Sequence, residues 1–151
     1  MKSVLVFILF LGLVALTSWI GAQFTPGEWY AALEKPPLNP PNWIFAPVWS
    51  ALYLAMAIAA WLVWKAERES PSPLLLWGTQ LVLNALWSYL FFGIHRMGLA
   101  LIEILILLGV VVATCVSFFR TKAVAGWLLV PYIAWLLFAT YLNAALLILN
   151  P

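Results

Sequence analysis

Outside one proline-rich stretch at 23–45, almost every window of the chain is apolar for long enough to cross a bilayer. Runs at about 4–22, 46–64, 74–93, 98–119 and 125–149 stand out. At about 1.5 Å rise per residue each covers roughly 28–37 Å, against a hydrocarbon core of about 30 Å. Such a segment must satisfy its backbone hydrogen bonds internally, so each run reads as a helix. With 66% hydrophobic residues, 8% charged residues and a mean hydropathy of +1.06, 151 residues could not stay soluble as one globule. The expectation is an all-α membrane protein, one domain over 1–151: a five transmembrane helix bundle with a long structured first loop. The opening MKSVLVFILFLGLVALTSWIGAQ has the basic start and apolar centre of a signal peptide. Cleavage after Ala22 would leave Ile20 where a small residue is preferred, so the segment is read as a retained helix.

The residue inventory excludes much chemistry. There is no aspartate, one histidine (His95) and one cysteine (Cys115). A lone mid-helix thiol rules out an intrachain disulfide framework and reads as packing, and no His/Cys spacing resembles a metal site. Neither a metal nor an obligatory cofactor is expected, and no nucleic acid partner. No internal repeat suggests a two-half transporter.

Short connections make neighbouring helices antiparallel and sort the charges. Lys2, Lys65, Arg68, Arg120 and Lys122 fall on one side, Lys35 and Arg96 on the other. By the positive-inside rule the N-terminus is cytoplasmic and the proline loop outside.

The loop, the "lid" at 23–45, contains WYAALEKPPLNPPNWIFAPVW at 29–49. Thr25-Pro26-Gly27-Glu28 fits a capping box with proline at the first helical position, predicting a short helix to about Glu34. Pro36-Pro37 stops it, and through Pro40-Pro41 stiff polyproline II is expected. The segment is either a rigid connector, with Trp29, Tyr30 and Trp43 in the interfacial aromatic belt, or a cover for something below.

Placing residues at about 100° intervals shows what lies below. In the third run Trp77, Gln80, Asn84, Trp87, Ser88 and Phe91 share one face. Unpaired amides in hydrocarbon cost several kcal/mol, so this face looks inward. Trp49, Tyr53, Met56, Ala60 and Trp64 form a similar stripe on the second run. Trp127, Pro131, Trp135, Phe138 and Leu142 form one on the fifth, with Ala139 and Asn143 beside it. Such stripes suit either helix packing by bulky residues or the walls of a pocket for a flat, largely apolar ligand.

The blocks WYAALEKPPLNPPNWIFAPVW, NALWSYLFF at 84–92 and WLLVPYIAWLLFATYLN at 127–143 resemble the translocator protein family, also called tryptophan-rich sensory proteins, TspO/MBR or peripheral benzodiazepine receptors. The likeness covers nearly the whole chain. It implies a five-helix bundle, usually a homodimer, surrounded by membrane lipid, with a cavity capped by the first loop. The implied ligands are porphyrin or haem, sterols and drug-like compounds. Trp49 and Asn84 match positions that hydrogen-bond drug-like ligands, Tyr30 the loop tyrosine, and Trp135 the tryptophan that flanks the ligand with Trp49. Ala139 and Thr140 fall in the segment associated with affinity. The mammalian cholesterol-recognition pattern is missing, since nothing basic follows Tyr132 or Tyr141, and porphyrins therefore rank above sterols.

The expected ligand-binding set is Tyr30, Trp49, Tyr53, Asn84, Trp87, Ser88, Phe91, Trp135, Phe138 and Ala139. Lys35 or Arg96 is expected to pair with a propionate, the alternative being solvated loop charge. His95 is the one candidate axial haem ligand, but its helix-boundary position reads as surface. Glu103, the only carboxylate inside a run, is either a functional group, as an intramembrane acid is by default, or shallow enough to snorkel to the interface. Gly109, Ala113 and Ser117 form one small-residue row and Ala51, Ala55 and Ala59 another, either suited to close helix contact. The function expected is ligand binding for sensing, transport or disposal, most simply in a bacterial cell membrane. Light-dependent porphyrin breakdown with Trp49 and Trp135 as redox neighbours, or action as a ligand-responsive regulatory partner, are the alternatives. A channel or pump is disfavoured by the lack of an intramembrane charge relay.

Overall fold

A computed structural model describes residues 2–66 and 70–151; Arg68, assigned above to the basic end, lies outside the described residues. The helices are α1 (Lys2–Ala22), α2 (Glu28–Ala32), α3 (Phe45–Ala66, preceded by a 3-10 turn Asn42–Ile44), α4 (Ser72–Ser88, prolonged by a π turn Tyr89–Gly93), α5 (Met97–Thr121) and α6 (Ala123–Leu149). Five of these elements are long and apolar enough to span a membrane, with bounds within a few residues of the apolar runs. Packing closes them into a ring in the order α1, α3, α6, α5, α4 and back to α1.

Hydroxyls in the spans follow from the absence of water. Thr17, Ser50, Thr79, Thr114 and Thr140 each donate to the carbonyl four residues back, at 2.7–3.0 Å. A hydroxyl bonded to its own helix exposes no donor to lipid. Between α5 and α6 the link is one extended residue, Lys122. The turn is that tight because Gly126 lets the Phe119 ring lie directly against its backbone.

Trp61 Nε1 donates to the backbone and hydroxyl oxygens of Ser3, joining the start of α1 to the end of α3. Lys2, Lys65, Arg120 and Lys122 therefore share one end of the ring, and the lid, Arg96 and the chain's last residues the other.

The lid departs from its expected form in three places. No capping box forms: α2 starts at Glu28 with Gly27 as its N-cap and no side-chain cap bond, so Thr25 and Pro26 are left to border the space below. The helix ends at Ala32, short of Glu34. The polyproline run is broken by a turn in which Asn39 N–H bonds the Pro36 carbonyl at 3.2 Å and Leu38 takes φ 68°. Proline at the second turn position presets this bend, although its third position ordinarily demands glycine or asparagine.

Tertiary bonds hold the bent lid. Asn150 accepts from the Glu34 N–H at 2.9 Å and donates to the Glu34 carbonyl at 3.1 Å, and the Tyr141 hydroxyl donates to the Pro37 carbonyl at 2.9 Å. Trp29 stacks on His95 with centroids 4.0 Å apart. His95 itself has φ 57° and closes the π turn, with Arg96 N–H bonded to the Leu90 carbonyl at 2.8 Å. We expect Asn150→Ala to speed amide exchange at Glu34 about five- to tenfold, the size of one hydrogen bond. Exchange mass spectrometry on the 31–38 peptide checks this, with the 84–92 segment unchanged.

Candidate ligand-binding cavity

Beneath the lid lies a cavity of about 430 Å³, within the range of about 300–1,000 Å³ typical of small-molecule sites. Trp49, Tyr53 and Phe45 of α3 form one wall, Asn84, Trp87, Ser88 and Phe92 another, and Trp135, Leu136 and Ala139 of α6 a third. Ile104 and Leu107 of α5 contribute to the lining, and Tyr30 belongs to the lid above. A mouth opens between the end of α1 and the start of α3, where lining residues Ser18, Ala22, Ala46 and Ser50 are exposed. Trp49 meets Trp135 edge-on, centroids 6.5 Å apart, and Tyr53 at 5.4 Å.

Of the expected set, Tyr30, Trp49, Tyr53, Asn84, Trp87, Ser88, Trp135 and Ala139 are brought together here. Phe91 is not. It is 2% exposed and stacked on Trp87 at 5.0 Å, in a small cluster under Trp29 and Tyr30, while Phe92 takes the cavity position. The cause is the π turn, whose wider hydrogen-bonded loop makes the residues after Ser88 lag a regular 100° spacing. Phe138 also stands off the lining, packed on Trp135 and Tyr141. The α6 stripe is rotated as well: Trp127 is 66% exposed and Pro131 is exposed, while Leu129, Tyr132 and Leu136 face inward.

Lys35 is turned away from the cavity. Its ammonium donates to the carbonyls of Tyr30 and Leu33 and lies 4.3 Å from the Tyr30 ring centroid, so it caps the lid helix. Burial lowers its pKa. Arg96 is exposed at the N-cap of α5 and His95 is stacked on Trp29; neither lines the cavity. Among the described residues no cation borders it and none group as metal ligands. Tyr30 donates to Asn39 Oδ1 at 3.2 Å; burial raises its pKa, the Asn39 bond offsetting part of the rise.

Sequence spacing missed one polar feature and misplaced another. Tyr132, 1% exposed, joins Asn84 to Gln80 by bonds of 2.9 and 3.0 Å. Its signal was the three- and four-residue spacing with Leu129 and Leu136, masked by the bulkier tryptophans nearby. Glu103 does not snorkel: it is 5% exposed, and neither carboxyl oxygen has a partner. Rotation about α5 outweighs depth, because Glu103 shares a face with Ala100 and Leu107. A buried polar group left unmet costs about 1–3 kcal/mol, so Glu103→Leu should raise the thermal midpoint in detergent; a lowered midpoint would mean the carboxyl has a stabilising partner. Gly109 and Ala113 are exposed on the outer face of α5, whereas Ala59 is fully buried.

The chain is matched over residues 5–149 by the model of the TspO/MBR family. It is 44% identical over 138 residues to the translocator protein of Bos taurus, covering 87% of this chain and 82% of that one. It is 40% identical over 157 residues to the tryptophan-rich protein TspO of Chlorobaculum tepidum, covering 99% of each. The tryptophan-rich sensory protein of Cereibacter sphaeroides is 39% identical over 144 residues, covering 95% of this chain and 90% of that one. With five membrane-length helices around a lidded aromatic cavity and a match from end to end, the chain belongs to the TspO/MBR family of integral membrane proteins.

Proposed function

We propose that this protein binds flat, largely apolar ligands of the porphyrin type, including haem, in the cavity beneath its lid, for their sensing, transport or disposal. The observation that carries this reading is the convergence of Trp49, Trp87 and Trp135 around one hollow with Asn84 and Ser88 among them. Aromatic faces suit a planar ring, and a few fixed polar groups orient it. With no cation on the lining among the described residues, the ring rather than its carboxylate tails is the handle. An apolar ligand dissolved in the bilayer would enter by the mouth between α1 and α3, where lining residues Ser18, Ala22, Ala46 and Ser50 are exposed. Four of the described basic residues lie at the end opposite the lid, which supports a cytoplasmic N-terminus, in a bacterial cell membrane. A homodimer with the exposed Gly109 and Ala113 at its contact fits the need of membrane helices for small residues where they meet.

The edge-on pair Trp49 and Trp135 favours one second reading, photo-oxidation of a bound porphyrin by dioxygen with these indoles as redox neighbours. Illumination in air tests it: loss of porphyrin absorbance unchanged by Trp49→Phe and Trp135→Phe would end it.

The binding reading is tested by titrating haem, protoporphyrin and a sterol against tryptophan fluorescence in nanodiscs. Saturable quenching by the tetrapyrroles is expected, retained in Trp127→Phe and reduced in Trp49→Phe and Trp135→Phe. Quenching indifferent to both cavity tryptophans would overturn it.

A further inference from the structure

One line of hydrogen bonds runs from the core of the ring to the cavity wall. Gln80 Nε2 lies 3.7 Å from Met56 Sδ, the Tyr132 hydroxyl 3.0 Å from Gln80 Oε1, Asn84 Nδ2 2.9 Å from the Tyr132 oxygen, and the Tyr53 hydroxyl 2.7 Å from Asn84 Oδ1. Met56, Gln80 and Tyr132 are at most 1% exposed and do not line the cavity; Asn84 and Tyr53 do.

The direction of this line is set at its buried end. A thioether sulfur has no hydrogen to give, so Gln80 turns its NH2 toward Met56 and its carbonyl toward Tyr132. A phenol has one hydrogen; with it directed to Gln80, Tyr132 accepts from Asn84. Asn84 therefore points its nitrogen at Tyr132 and its carbonyl at Tyr53, whose single hydrogen is taken up there. Running the line the other way would set the Gln80 carbonyl against an acceptor-only sulfur, two acceptors face to face in a dry interior.

An amide nitrogen carries two hydrogens, and only one goes to Tyr132. The second is left over on a residue that lines the cavity, whose α3 wall holds the donor-only indole of Trp49. The Tyr53 oxygen keeps lone pairs and the Ser88 hydroxyl both gives and accepts, so a ligand donor is not refused, and the two fixed N–H groups make the selection a ratio.

Resting on the cavity reading above, we infer that Gln80 and Tyr132 are positioning residues: anchored on Met56, they fix the Asn84 amide so that the cavity prefers flat apolar ligands bearing a hydrogen-bond acceptor, such as a ring carbonyl, over the same shape bearing a donor.

Three flat tricyclic probes of nearly equal shape separate the possibilities: fluorenone carries a carbonyl acceptor, carbazole an N–H donor and fluorene neither. Equilibrium dialysis against the full-length protein in nanodiscs, corrected with empty discs, gives each affinity. In the parent protein fluorenone should bind about five- to tenfold tighter than carbazole, the size of one hydrogen bond. Tyr132→Phe and the near-isosteric Met56→Leu should both bring that ratio close to one while fluorene affinity stays within about twofold. Met56→Leu keeps the test open if Tyr132→Phe fails to fold. A structural role alone would lower all three affinities together. If fluorene and fluorenone bind but the parent shows no preference, or the preference survives in both variants, the inference falls and the cavity reading stands. If none of the three binds, both fall.

Discussion

Replacing Ala139 by tryptophan should abolish ligand binding while leaving the bundle folded. Ala139 lines the cavity on the α6 wall, and a residue with one methyl there leaves room that an indole would fill. The new ring occupies space that is already a hollow, so it displaces the guest rather than the protein's own side chains. Protoporphyrin affinity should fall at least about a hundredfold, equivalent to roughly 2.7 kcal/mol. The comparison is Leu137→Trp on the outer face of α6, where the added ring meets lipid and affinity should hold. Should Ala139→Trp prove unstable, Ala139→Leu gives a smaller loss in the same direction. Unchanged affinity in a folded Ala139→Trp protein would mean that ligand sits elsewhere.

The second large effect belongs to stability. Gly126 lies where α6 begins its return along α5, and a Cβ built there overlaps the base of the Phe119 ring. Those atoms, Cγ and the two Cδ, are the ring's near edge and cannot swing aside as a flexible tip would. The neighbourhood is otherwise closed, with Ala125 fully buried and Cys115 Sγ 3.4 Å from the Gly126 carbonyl. Gly126→Val should destabilise by about 3 kcal/mol, the upper end of ordinary overpacking costs. Adding Phe119→Ala to the same chain should restore most of the loss, since it removes the atoms that collide. A double variant as unstable as Gly126→Val alone would show that the glycine serves backbone conformation instead of close approach. Thermal unfolding of detergent-solubilised protein, followed by loss of the folded peak on gel filtration, reads both.

The helices were legible because hydrocarbon imposes one rule on every residue. Length and apolarity therefore placed all five spans, and the regular spacing of Trp49, Tyr53, Asn84, Trp87 and Ser88 placed most of the cavity. Where the reading failed, it failed for nameable reasons. Phe91 and Phe92 exchanged roles because a π turn has no signature in hydropathy. Tyr132 was hidden because aromatic bulk drew the α6 stripe toward Trp127, yet a tryptophan at a membrane interface faces outward as readily as inward. The turn at Leu38 lacked the glycine or asparagine that announces a positive φ. Lys35 was read either as a propionate contact or as solvated loop charge, although a basic residue just past a short helix is also placed to bind that helix's last carbonyls, which is what it does. Glu103 shows the limit of depth as a guide: on a helix, rotation decides what a side chain meets.

The proposed function requires a guest in the hollow bounded by α3, α4 and α6. Photolabelling with a diazirine-substituted protoporphyrin in nanodiscs, followed by peptide mass spectrometry, tests it most directly. Adducts are expected within the segments holding Trp49 and Tyr53, Trp87 and Ser88, and Trp135 and Ala139, all suppressed by Ala139→Trp. Adducts confined to lipid-facing positions such as Val82, Leu105 and Leu137, undiminished by that substitution, would contradict it.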